Sequence, residues 1–185
     1  MQDEFLRAVT TGKHRHTQMT SEMAVIRLYD AWARFCRELI ILSAFGRTVT
    51  LGGIRLIPCH PTIKRCHMVI PLLLSTYKRK RFLFEPRWAD ANECIDAATR
   101  LRIVNLPTVS SALSAFNSPA NDIRRARNFY AHRGKKTAQE ALATGLFANP
   151  IRPDSFDLAA YITGNVRIVE SWVNNLVLVA TAASQ

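Results

Sequence analysis

Thr20 to Gly46 reads TSEMAVIRLYDAWARFCRELIILSAFG. Val25, Ile26, Tyr29, Trp32, Ala33, Cys36, Leu39, Ile40 and Ser43 recur along it at steps of three and four residues. That is the period of one helical face, so these side chains share a stripe that has to be covered. Thr20 or Ser21 offers a side-chain oxygen to the open N–H groups of a first turn, and Gly46 suits the backbone reversal at a helix end. One long helix with a single apolar face is not stable alone, so the rest of the chain is expected to supply partners.

Residues 1–19 are polar and carry Lys13-His14-Arg15-His16; a loose arm or a short helix is expected, with both histidines at the surface. After Gly46, Thr48-Val49-Thr50-Leu51 and Ile54-Arg55-Leu56-Ile57 flank Gly52-Gly53. Two β-prone runs around such a turn predict a small hairpin at residues 47–57. Helical signals then dominate, over 61–77, 86–104 and 107–116, the last two separated by Asn105-Leu106-Pro107. Ser118-Pro119 predicts a helix start, because serine caps and proline has the right φ for a first turn. That helix is expected to reach Arg133 and stop at Gly134. Thr137-Ala138-Gln139-Glu140 has capping-box spacing and restarts a helix up to Gly145. Beyond Pro150 and Pro153, a long amphipathic helix is expected over 155–182, with the stripe Phe156, Ala159, Ile162, Val166, Val169, Trp172, Val173, Leu176 and Val177. The expected fold is therefore all-α: a bundle of about five to seven helices with one hairpin insertion, residues 1–185 forming a single domain.

The totals narrow the function. At 185 residues and 48% apolar, the chain needs neither disulfide nor metal to build a core. Its net charge of +11 points to a polyanionic partner, nucleic acid first. No apolar run is long enough to cross a bilayer, the best being Leu176 to Ala183. Met1-Gln2-Asp3-Glu4 does not open a signal peptide, so a soluble cytoplasmic protein is expected. Cys36, Cys59, Cys66 and Cys94 form no C-x-x-C pair and read as reduced, mostly buried thiols. Cys59-His60 and Cys66-His67 are zinc-ligating types at spacings that zinc sites do not use, so no metal and no cofactor are expected. Trp32 and Trp172 lie on apolar stripes and read as core.

The chemistry concentrates in Ile123-Arg124-Arg125-Ala126-Arg127-Asn128-Phe129-Tyr130-Ala131-His132-Arg133-Gly134. On a helix, Asn128 and His132 stack on one face, where the amide is placed to fix the imidazole's orientation. Arg127 lies about 140° around from His132, so a two-fold pair of such helices would bring both groups into one cleft more readily than a single copy. An imidazole moves protons at near-neutral pH, and a guanidinium grips a phosphate through two parallel N–H groups. Together, without metal, they suit RNA backbone cleavage: the ribose 2′-hydroxyl attacks the phosphorus, and the products are a 2′,3′-cyclic phosphate and a 5′-hydroxyl. Asp90, Glu93 and Asp96 lie close in sequence but read as a solvated helix face, not a two-metal nuclease centre.

Arg127-Asn128-x-x-x-His132, late in an all-helical chain, resembles the R-x(4–6)-H motif of the HEPN superfamily, in which a polar residue typically follows the arginine. Leu28-Tyr29-Asp30-Ala31-Trp32-Ala33-Arg34-Phe35, followed by Glu38-Leu39, is similar to a first helix of that group. The resemblance spans residues 20–180 in layout, with the six-residue run as its specific part. It implies a homodimeric, metal-independent endoribonuclease, a hydrolase acting as a toxin checked by an antitoxin or as an antiviral-defence effector. It further implies His132 as acid and base, Arg127 as the phosphate-stabilising group and Asn128 as a polar helper.

Around this centre, Arg124, Arg125, Tyr130, Arg133, Lys135 and Lys136 are candidate RNA contacts. Tyr130 either stacks on a base or packs in the core or a dimer interface, and Lys78-Arg79-Lys80-Arg81 either tracks an RNA backbone or forms a solvated helix end. Arg125 also satisfies the looser motif spacing; Arg127 is preferred because Asn128 follows it. Arg55 to His60 fits the bare pattern as well, but Pro58 rules out a helix there. The bland reading of 124–133 is a basic helix facing water with Phe129 and Tyr130 inward. The alternative function is an inactive HEPN-like module that binds RNA or a partner protein such as an antitoxin.

Overall fold

Helix α1 runs unbroken from His14 to Phe45 in the computed structural model, which describes residues 14–46, 49–77, 84–146, 162–163 and 166–185. The expected start at Thr20 or Ser21 is corrected: both are already within the helix. Neither is required as a cap, because helical backbone upstream satisfies their N–H groups. Residues 1–13 lie outside the described residues, as do the side chains of His14 and His16. The stripe itself is sound: Val25, Trp32, Cys36, Ile40 and Ser43 are buried, and Leu28 joins them.

A 3₁₀ turn at Cys66–Met68 leads into α2 (Val69–Thr76). Then come α3 (Ala91–Leu101), α4 (Leu106–Ala115), α5 (Asn117–His132), α6 (Lys135–Leu142) and α7 (Ile168–Ala183). The described residues are thus mainly helical, and no helix among them is long and apolar enough to cross a membrane.

The hairpin expected at 47–57 is not formed by the described residues. Val49 and Arg55 make a single antiparallel bridge, and Thr50 N–H donates to Ile54 O at 2.8 Å around the Gly52-Gly53 turn. Val49, Leu51, Ile54 and Ile57 are exposed while Leu56 is buried, so the segment covers little apolar surface with which to reward a longer ladder. The long helix expected from 155 begins instead at Ile168. Before it, β1 (Ile162–Thr163) and β2 (Val166–Arg167) pair antiparallel in the register Ile162 to Arg167. Phe156 and Ala159 lie outside the described residues. Val169 and Trp172 are buried as expected, but Val177 is exposed, and Val179 and Ala183 continue the buried face.

Two compact units group these elements. The first comprises Met1–Ala31 and Ser118–Asn175. Its buried side chains are Val25 and Leu28 of α1, Ala120, Ile123, Ala126, Phe129 and Tyr130 of α5, Ala141 of α6, and Val169 and Trp172 of α7.

The second comprises Trp32–Asn117 and Leu176–Gln185. Trp32 anchors it: the indole packs on Phe116 with ring centroids 4.8 Å apart and donates to Ala89 O at 3.3 Å. Gly46 adopts φ +66, and a Cβ there would land on the Ile57 carbonyl carbon, so this is a position only glycine fills. Asp90, Glu93 and Asp96 are engaged structurally. Asp90 caps α3 by accepting from Asn92 and Glu93 N–H, Glu93 bridges to Arg87 at 2.7 Å, and Asp96 to Arg100 at 2.8 Å. Cys36 and Cys94 are fully buried, and burial, followed by the hydrogen bond to Cys94, pushes the Cys36 thiol far up from its ordinary range. Cys59 and Cys66 are half-buried. Among the described residues no group of three or more His, Cys, Asp or Glu is gathered for a metal, and His60 Nδ1 instead meets Thr62 Oγ1 at 2.6 Å.

Candidate functional site

The first unit contains every candidate residue of the motif, on α5 and the start of α6. α5 begins at Asn117, directly after Phe116, two residues earlier than a Ser118 cap would allow. Pro119 then sits in the first turn, where its missing N–H costs nothing. Buried positions 120, 123, 126, 129 and 130 hold one face of α5 inward. That leaves Arg124, Arg125, Arg127 and Asn128 half-buried along its flanks and His132 exposed in the last turn.

The helix stops after His132 because Arg133, with φ +49, takes the left-handed conformation expected of Gly134. Gly134 is extended (φ −89, ψ 158) and precedes α6. Thr137 Oγ1 accepts from Gly134 N–H at 3.0 Å and donates to its carbonyl at 2.8 Å. The restart expected from Thr137 is thus real, with Thr137 inside the first turn instead of capping it.

The Arg127 guanidinium lies over the Tyr29 ring, 5.3 Å from its centroid, and its Nη1 donates to Asn128 Oδ1 at 3.4 Å. Asn128 is therefore turned toward Arg127; no hydrogen bond joins it to His132 among the described residues, which corrects the expected amide–imidazole pairing. Nor does any hydrogen bond join Arg127 to His132 within the one chain, in keeping with their separation around the helix. Arg125 approaches Asp122 at 3.9 Å. Burial raises the Asp122 carboxyl above its usual range, and Arg125 partly opposes this.

Arg133 forms an ion pair with Glu22 of α1 and lies over the rings of Phe129 and Tyr130, at 5.2 and 5.7 Å. Lys136 is 4.0 Å from Glu140, and Lys135 is exposed. Tyr130, only 6% exposed, belongs to the core and offers no face to a base. The stacking expectation for it is corrected. The Lys78–Arg81 cluster lies outside the described residues.

No family model, curated protein or solved structure matches the chain.

Two features of the site were invisible in the motif. Tyr29 and Glu22, both on α1, hold Arg127 and Arg133 in place. Tyr29 carried a signal as a member of the apolar stripe, while Glu22 carried none, because an ion pair spanning more than a hundred residues leaves no local pattern. The electrostatics are uneven as well. Arg124 Nε and Arg127 Nε are buried without a hydrogen-bond acceptor among the described residues. A buried cationic N–H lacking an acceptor is costly.

Proposed function

We propose that this chain is a HEPN-like, metal-independent endoribonuclease that works as a homodimer, serving as a toxin or an antiviral-defence effector. The observation that carries the reading is the exposed His132 at the end of α5, five residues after an arginine whose Nε has no acceptor among the described residues. In this reading His132 takes the proton from the ribose 2′-hydroxyl or gives one to the departing 5′-oxygen. Arg127 stabilises the charge that builds on the phosphoryl oxygens, with Asn128 orienting it through their hydrogen bond. Since Arg127 and His132 point apart on one helix, the cleft is completed by the same helix of a second copy, each supplying what the other lacks. Arg124, Arg125, Lys135 and Lys136 line the approach of the RNA backbone, and the net charge of +11 draws RNA in.

A second reading has its own support. Arg127 is occupied by Tyr29 and Asn128, and Arg133 by Glu22, an arrangement suited to an inactive module that binds RNA or an acidic partner such as an antitoxin. The two separate in one assay. The purified protein is incubated with mixed RNA in EDTA and the product ends are identified. Cyclic 2′,3′-phosphates and 5′-hydroxyls, with DNA left intact, are expected of the nuclease. Salt-sensitive binding without turnover would establish the module instead.

A further inference from the structure

Val49, Leu51, Ile54 and Ile57, set around the Gly52-Gly53 turn of the second unit, are 61 to 68% exposed. Four large aliphatic side chains held in water within nine residues are not the scatter that is normal on a protein surface. The turn that carries them is tied down. Leu51 N–H donates to Ser184 O at 2.7 Å, Thr50 N–H to Ile54 O at 2.8 Å and Gly53 N–H to Thr50 O at 2.9 Å. Ile54 N–H reaches Thr50 Oγ1 at 3.1 Å. These four backbone donors are satisfied inside the protein, so an apolar medium would not strand them.

The charge along this stretch has one sign. Residues 39–84 hold eight lysines and arginines and no aspartate or glutamate, so eight of the chain's eleven net positive charges fall in a quarter of its length. Arg55 lies within the turn segment, and Lys64 and Arg65 follow shortly after it; all three are exposed and make no ion pair among the described residues.

We propose that residues 49–57 dock this chain on an anionic lipid surface. The four aliphatic side chains enter the boundary between headgroups and acyl chains, and Arg55, Lys64 and Arg65 meet the lipid phosphates and carboxylates. Single-stranded RNA offers phosphates too, but its bases stack on aromatic rings, whereas the exposed apolar side chains of this turn are aliphatic and match acyl chains. Such attachment is peripheral and needs no membrane-crossing helix. It goes beyond the RNA reading and requires no catalysis.

The test floats the full chain with vesicles of phosphatidylcholine alone or of equal parts phosphatidylcholine and phosphatidylserine. Binding is expected to the mixed vesicles only, and to weaken with salt. Lys64→Gln with Arg65→Gln should weaken it roughly 25-fold, about 5-fold for each charge removed. Leu51→Gln with Ile54→Gln, both at exposed positions, should weaken it by about 10-fold or more. The three native tryptophans are buried, so Leu51→Trp adds an exposed reporter whose emission should shift to the blue on the mixed vesicles. Equal binding to phosphatidylcholine alone, no binding to either vesicle, unchanged binding in either double variant, or a Leu51→Trp emission that does not move overturns the proposal. Loss of single-stranded RNA binding in Leu51→Gln with Ile54→Gln, with vesicle binding intact, overturns it too and makes the turn an RNA contact.

Discussion

Arg127 of α5 lies over the ring of Tyr29 on α1, 5.3 Å from its centroid. The face of a tyrosine ring attracts a cation without consuming its N–H donors, so the contact orients the guanidinium while Nη1 donates to Asn128 Oδ1. Tyr29→Phe preserves the ring and should leave RNA cleavage within about 2-fold of the parent. Tyr29→Ala removes it and should lower cleavage by roughly 2- to 5-fold, the equivalent of one exposed cation–π contact. Equal activity in Phe and Ala variants would show that Arg127 needs no such support.

His132 is exposed, so replacing it removes chemistry and little packing. His132→Ala should reduce RNA cleavage by about 10²- to 10⁴-fold. Its Tm should stay within about 2 °C, since exposed substitutions rarely move stability by more than a fraction of a kcal/mol. Cleavage at the parental rate in this variant removes His132 from the mechanism.

Glu22 neutralises Arg133. With the Arg133 side chain 46% exposed, water screens the pair, and Glu22→Gln should cost less than about 1 kcal/mol. The freed cation should show itself in binding: the slope of log Kd against log salt for single-stranded RNA should steepen by about 0.7 for one added phosphate contact. An unchanged slope would place Arg133 away from the RNA path.

Asp122 supplies a pH signature. Burial raises its carboxyl in the folded state above its unfolded value, so the folded form holds the proton more tightly. Stability linked to this group is therefore fully present below the unfolded pKa and is lost as pH rises through the raised folded one. Asp122→Asn cannot ionise and escapes that loss. Urea denaturation at pH 3 and pH 7 should show the variant gaining relative to the parent at the higher pH. A relative loss there would mean that the Arg125 contact outweighs burial.

The thiols divide by depth. Cys36 and Cys94 are buried and Cys59 and Cys66 half-buried. Burial also raises the Cys59 thiol, lowering its reactive thiolate fraction. Under native conditions a thiol reagent should titrate Cys59 and Cys66 slowly and reach Cys36 and Cys94 only after denaturant is added. Rapid native labelling of Cys36 would contradict the packing around Trp32.

Much of the helical content was legible because it rests on local periodicity. Val25, Trp32, Cys36 and Ile40 mark the covered face of α1 in the sequence as they do in the fold. What periodicity could not locate was the N-terminal extent of α1, whose helical backbone already includes the two plausible caps Thr20 and Ser21. The Gly52-Gly53 turn was legible too, but its flanks need a neighbour to become strands, and Leu51 and Ile54 face outward. At the site, the placement of His132 at a helix end followed from Gly134 and its surroundings. The orientation of Asn128 did not, since it depends on which side of α5 Arg127 leans, and that is decided by Tyr29 far away in the chain.

Arg133 holds a left-handed backbone immediately after the exposed imidazole. Two unrelated requirements converge on that one codon. Glycine or asparagine would suit the reversal but surrender the charge that meets Glu22, and lysine alone would keep the charge at the backbone cost that Arg133 already bears. Few substitutions satisfy both, so laboratory evolution of this chain should find position 133 unusually intolerant for a residue so open to solvent.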